Sequence, residues 1–121
     1  MGKTIVVVDD MKTLRDMLSN CLTGAGHTVV LAENGVEALE KCSEHNPDFV
    51  ITDLNMPIMN GIEFIREART SGIAASIPIL LLTTETADKL KQDARDAGAT
   101  GWLTKPFDPK RVIELVDRLC L

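Results

Sequence analysis

The sequence predicts an α/β domain in which five parallel strands alternate with five helices around a single sheet. Short runs rich in Val, Ile and Leu alternate with longer stretches whose apolar residues recur at intervals of three and four. Short connections join them, and right-handed β-α-β crossovers leave few other arrangements. The 121 residues suffice for one such core and leave no room for a second.

The expected strands are Thr4 to Asp9, Thr28 to Ala32, Asp48 to Asp53, Ile77 to Thr83 and Thr100 to Thr104. The first, third and fourth are apolar on both faces, as suits central parallel strands covered by helices on each side. The second and fifth are weaker and read as edges. The first helix carries Leu14, Met17, Leu18, Cys21 and Leu22 and stops at Gly24 and Gly26. The second starts at Asn34 with Glu37 three residues on, a capping-box spacing, and ends before Asn46-Pro47. The third repeats that device with Asn60 and Glu63 and turns Ile62, Ile65 and Ala68 inward. The fifth takes Asp108 as N-cap and Pro109 as its first residue, with Val112, Ile113, Val116 and Leu119 inward. The fourth has an inner stripe of only Ala87, Leu90, Ala94 and Ala97, which buries little area, so weak docking is expected. The fifth helix reaches almost to Leu121, so residues 1–121 are expected to form one domain with no output domain beside it.

Apolar residues make up 45% of the chain and charged ones 26%, the balance of an ordinary soluble globule rather than a disordered chain. A net charge of -5 argues against a nucleic-acid partner, which needs surplus Lys and Arg to neutralise phosphates. No apolar run approaches the roughly 20 residues of a membrane span. The opening MGKTIVVVDD fits neither a secretory signal nor the myristoylation pattern, and a cytoplasmic protein is expected. Cys21, Cys42 and Cys120 lie far apart among apolar residues, without a CxxC pair, and read as buried thiols rather than a redox or zinc site.

In an open parallel sheet, functional groups collect beyond the carboxyl ends of the strands. The first strand ends in Asp9-Asp10, the third in Asp53 and the fourth in Thr83-Thr84, and the fifth leads to Lys105-Pro106. Three carboxylates at adjacent strand tips repel one another, which raises a pKa or calls for a cation. With oxygen ligands only, a hard ion of the Mg²⁺ kind is indicated, one that shares its shell with a phosphate. Singly, each acid also reads as a solvated loop acid or a helix N-cap. Lys105 and Thr83 add the cation and the hydroxyl that a tetrahedral anion needs on its oxygens. Asp53 is then the natural nucleophile toward phosphorus, forming an acyl phosphate.

The segments VVVDD, VITDLNMPIMNG, LLLTTE and GATGWLTKPF resemble the receiver domain of two-component response regulators, and the match covers the whole chain. The likeness is to the single-domain chemotaxis regulators of the CheY type. It implies the flavodoxin-like strand order 2-1-3-4-5, with Asp53 as phosphoacceptor, Asp10 as direct Mg²⁺ ligand and Asp9 acting mainly through water. It further implies a metal contact from the backbone carbonyl of Asn55, Lys105 as the phosphoryl-oxygen ligand and a cis bond at Lys105-Pro106. Thr83 and Trp102 resemble the family's switch hydroxyl and switch aromatic, which reshape the surface of the fourth helix, fifth strand and fifth helix. Asn55 and Glu85 resemble the pair that tunes phosphoryl lifetime. The implied partners are a histidine kinase of the chemotaxis type, a protein target such as the flagellar motor switch, and a phosphatase.

Two positions depart from that pattern. Trp102 stands where Tyr or Phe is usual, and an indole is larger and cannot accept a hydrogen bond. Thr84 stands where Ala or Gly is commoner, adding bulk beside Asp53. Other readings use the same residues differently: a phosphate sink or relay receiver, or a constitutive binding module. A phosphatase of the haloacid-dehalogenase kind needs a second Asp where this chain has Asn55. A flavin carrier needs a phosphate loop where this chain has Asp9-Asp10.

Overall fold

The computed structural model of the chain describes residues 2–119, so the expected burial of Cys120 lies outside the described residues. Strands and helices alternate: β1 (Thr4–Val8), α1 (Lys12–Gly24), β2 (Thr28–Ala32), α2 (Gly35–His45), β3 (Phe49–Asp53), α3 (Gly61–Ser71), β4 (Ile79–Thr83), α4 (Asp88–Ala97), β5 (Gly101–Thr104) and α5 (Pro109–Leu119). All pairings are parallel and the sheet order is β2-β1-β3-β4-β5, the CheY-like flavodoxin arrangement. The weaker second and fifth runs are its edges.

Both faces of the sheet are buried because successive side chains of the central strands point opposite ways. Val6, Val8, Val50, Ile79 and Leu81 join Ala38, Cys42, Phe64, Ile65, Ala68, Ala94 and Ala97 under α2, α3 and α4. Ile5, Val7, Phe49, Ile51, Leu80 and Leu82 join Leu18, Leu22, Val112 and Val116 under α1 and α5. Strand bounds fall within two residues of the expected ones, the fourth beginning at Ile79 once Pro78 is passed.

The helix ends follow their local chemistry. The Asn34 side chain accepts from Glu37 N at 2.9 Å, and Asn60 and Glu63 form both halves of a capping box. Asp108 Oδ1 accepts from Lys110 N at 3.0 Å at the start of α5. The inner face of α4 is thinner than its sequence suggests: Ala94 and Ala97 are buried, Leu90 is half-buried, and Ala87 is an exposed N-cap without a side-chain cap. Cys42 is fully buried, and burial pushes its thiol up to about 11. Cys21 is only half-buried, its Sγ 3.9 Å from the Pro109 carbonyl where α1 meets α5.

Arg69 closes the far end of α4. From α3, its Nε and a terminal nitrogen donate to the Gly98 carbonyl at 3.2 and 2.9 Å. Its other terminal nitrogen donates to Ile77 O at 2.6 Å and also to Ala74 O. One guanidinium thereby ties the end of α3, the loop into β4 and the left-handed cap of α4 at Gly98. Burial lowers its pKa below the ordinary arginine value.

Candidate functional site

The register of the sheet builds the acid cluster. Val8 pairs with Thr52 and Asp53 with Leu82, so one step beyond β1 the chain reaches Asp9 beside Asp53. Carboxylate oxygens of Asp9, Asp10 and Asp53 lie within 4.8 Å of one another, with Asp9 and Asp53 buried and Asp10 exposed. On the neighbouring strands Thr83 pairs with Thr104, and Lys105 N donates to Thr83 O at 2.8 Å. This turn, with a cis Lys105–Pro106 bond, brings Lys105 Nζ to 2.9 Å from Asp53 Oδ1 and 3.6 Å from Asp9 Oδ2.

Burial pushes Asp9 above the usual carboxylate range, and the charges of Asp53 and Asp10 push the same way. The Met11 N–H, 2.9 Å from Asp9 Oδ1, and the Lys105 ammonium oppose that shift. Asp9 Oδ2 is buried without a hydrogen-bond partner among the described residues. A buried oxygen with only a long ion pair to Lys105, in an all-oxygen cluster of acids, fits a hard divalent cation, since a buried carboxylate oxygen without a hydrogen bond is otherwise costly.

The sequence-predicted residues fall into two groups. Asp9, Asp10, Asp53 and Lys105 converge on one point. Thr83 is buried at the adjacent strand tip, its Oγ1 accepting from Glu85 N at 3.0 Å. Thr84 and Glu85 are exposed, as is Asn55 in the loop leaving β3. Trp102 lies deeper along β5, paired with Leu81, its half-buried ring packed on the α4 side. Its Nε1 is buried without a hydrogen-bond partner among the described residues.

Sequence reasoning missed Arg15. It is 8% exposed, and its guanidinium donates to the Asp9 carbonyl at 2.6 Å and to Glu33 Oε1 at 3.3 Å. The buried residues of α1 are Arg15, Leu18 and Leu22, so the helical spacing placed Arg15 on the inner stripe.

The model of the response regulator receiver domain matches residues 5–117. The chain belongs to the response regulator receiver family, whose members accept a phosphoryl group rather than turn over a free substrate. It is 38% identical over 120 residues to the chemotaxis protein CheY of Thermotoga maritima, covering 98% of each chain. The solved chemotaxis protein CheY4 of Vibrio cholerae superposes with a TM-score of 0.93 at 40% identity, covering 98% of this chain and 99% of that one. The phosphate regulon transcriptional regulatory protein PhoB of Pseudomonas aeruginosa is 35% identical over 119 residues, a stretch that spans 51% of its own length.

Proposed function

We propose that the chain is a stand-alone response regulator that takes a phosphoryl group from a histidine kinase onto Asp53. The observation that carries this is the meeting of Asp9, Asp10 and Asp53 within 4.8 Å, with Lys105 Nζ 2.9 Å from Asp53. A carboxylate oxygen of Asp53 forms the new bond to phosphorus as the phosphorus–nitrogen bond of a phosphohistidine breaks, leaving an acyl phosphate and a free imidazole. Asp10, Asp53 and the Asn55 carbonyl would hold Mg²⁺ in this reading, with Asp9 acting through water. The chemistry a bound Mg²⁺ supplies is charge neutralisation at the phosphoryl oxygens. Lys105 gives up its pairing with Asp53 to donate to a phosphoryl oxygen. Thr83, whose Oγ1 accepts from the Glu85 N–H, donates its hydroxyl proton to another phosphoryl oxygen, and Trp102 turns in response, changing the surface of α4, β5 and α5. Asn55 and Glu85, exposed at the mouth of the site, tune the lifetime of the acyl phosphate.

A chemotaxis role is supported by likeness to CheY proteins over 98% of both chains. Its target in that role is the flagellar motor switch, with the chemotaxis kinase upstream. Intact-mass measurement after incubation with acetyl phosphate tests the site. One phosphoryl group is expected on the native chain with Mg²⁺, and none without metal or on Asp53→Asn. Labelling of the Asp53→Asn chain would overturn the assignment.

A further inference from the structure

We infer that Arg15, braced by Glu33, sets the divalent-metal affinity of the acid cluster by fixing the peptide that joins Asp9 to Asp10. This inference rests on the metal reading above. Every polar group of Asp9 except Oδ2, which has only the 3.6 Å ion pair with Lys105, is hydrogen-bonded to its surroundings. Its N–H donates to Ala32 O at 3.1 Å, its Oδ1 accepts from Met11 N at 2.9 Å, and its carbonyl accepts from Arg15 at 2.6 Å. The exposed Asp10 follows directly, and since the peptide is planar, holding the Asp9 carbonyl orients the N–Cα bond from which the Asp10 side chain departs.

The guanidinium is itself gripped from the other side. Glu33, in the loop between β2 and α2, lies 3.3 Å from one terminal nitrogen while the other terminal nitrogen holds the Asp9 carbonyl. A planar fork spans two acceptors on two loops, whereas the ammonium of a lysine satisfies one with looser geometry. The guanidinium bonds to the Asp9 carbonyl and to Glu33 rather than to a carboxylate of the cluster, so Arg15 acts through the backbone. Arg15 is therefore a positioning residue, one step removed from the cluster. Partners of this kind characteristically govern metal affinity by about 10–100-fold.

Isothermal titration with MgCl₂, alongside metal-free thermal melting, tests this on the native chain and on Arg15→Met, Arg15→Lys and Glu33→Ala. The expected result is affinity weakened about 10-fold or more in Arg15→Met, partly recovered in Arg15→Lys, and weakened a few-fold in Glu33→Ala. A merely structural Arg15 would lower the metal-free Tm and leave the affinity of the folded protein unchanged, which overturns the inference. Should Arg15→Met fail to fold, native affinity in both Arg15→Lys and Glu33→Ala overturns it equally. Absence of Mg²⁺ binding by the native chain would instead overturn the metal reading, and this inference with it.

Discussion

Asp9 holds its proton more tightly in the folded chain than in the unfolded one, where its pKa is the ordinary 3.8. Between that value and the raised native one the folded state binds more protons, so stability falls as pH rises through this window. Without metal, the ionised Asp9 thus costs stability at pH 7. Without metal, Asp9→Asn is expected to melt higher than the native chain at neutral pH. The gap should close as pH approaches 3.8, and melting curves across pH check both its sign and its closure. The acids and Lys105 were legible in the sequence because each ends a strand or follows one, and strand tips converge. Arg15 and Arg69 were not, because arginine on a helix reads as solvated. Yet each lies at core spacing, Arg15 with Leu18 and Leu22, and Arg69 with Ile62 and Ile65.

The junction of β3 and α3 leaves no room for a side chain at Gly61. A Cβ there would overlap the Asp53 carbonyl oxygen and lie 2.8 Å from Leu81 Cδ1. Gly61→Ala is expected to lower stability by about 1–3 kcal/mol, read from urea midpoints, because α3 must lift away from the strand that carries Asp53. The fourth helix behaves oppositely. With Ala94 and Ala97 its only buried residues, its amides should exchange with deuterium faster than those of α3, which buries Ile62, Phe64, Ile65 and Ala68. Equal protection of the two helices would contradict this account of α4. Its sparse stripe was visible in the sequence, but the exposure of Ala87 was not, since period alone cannot tell a helix's first inward residue from its cap.

Across the whole molecule, ligand binding and stability are linked through the acid cluster, because a cation that binds only the folded chain stabilises it by mass action. At 100 times its dissociation constant, Mg²⁺ is expected to add about 2.7 kcal/mol and raise Tm by about 10 °C. Asp10→Asn should remove most of that rise, as scanning calorimetry with and without metal would show. The sheet order was legible only through family likeness, since alternation of strands and helices fixes handedness but not which strand lies beside which. The same scale gives Arg69 its meaning. Anchored at Gly98 and thinly seated elsewhere, α4 is a lever with its fulcrum at the end remote from Thr83 and Glu85. The least costly displacement is a swing that keeps Gly98 in place and gives its greatest travel to the end nearest the acid cluster.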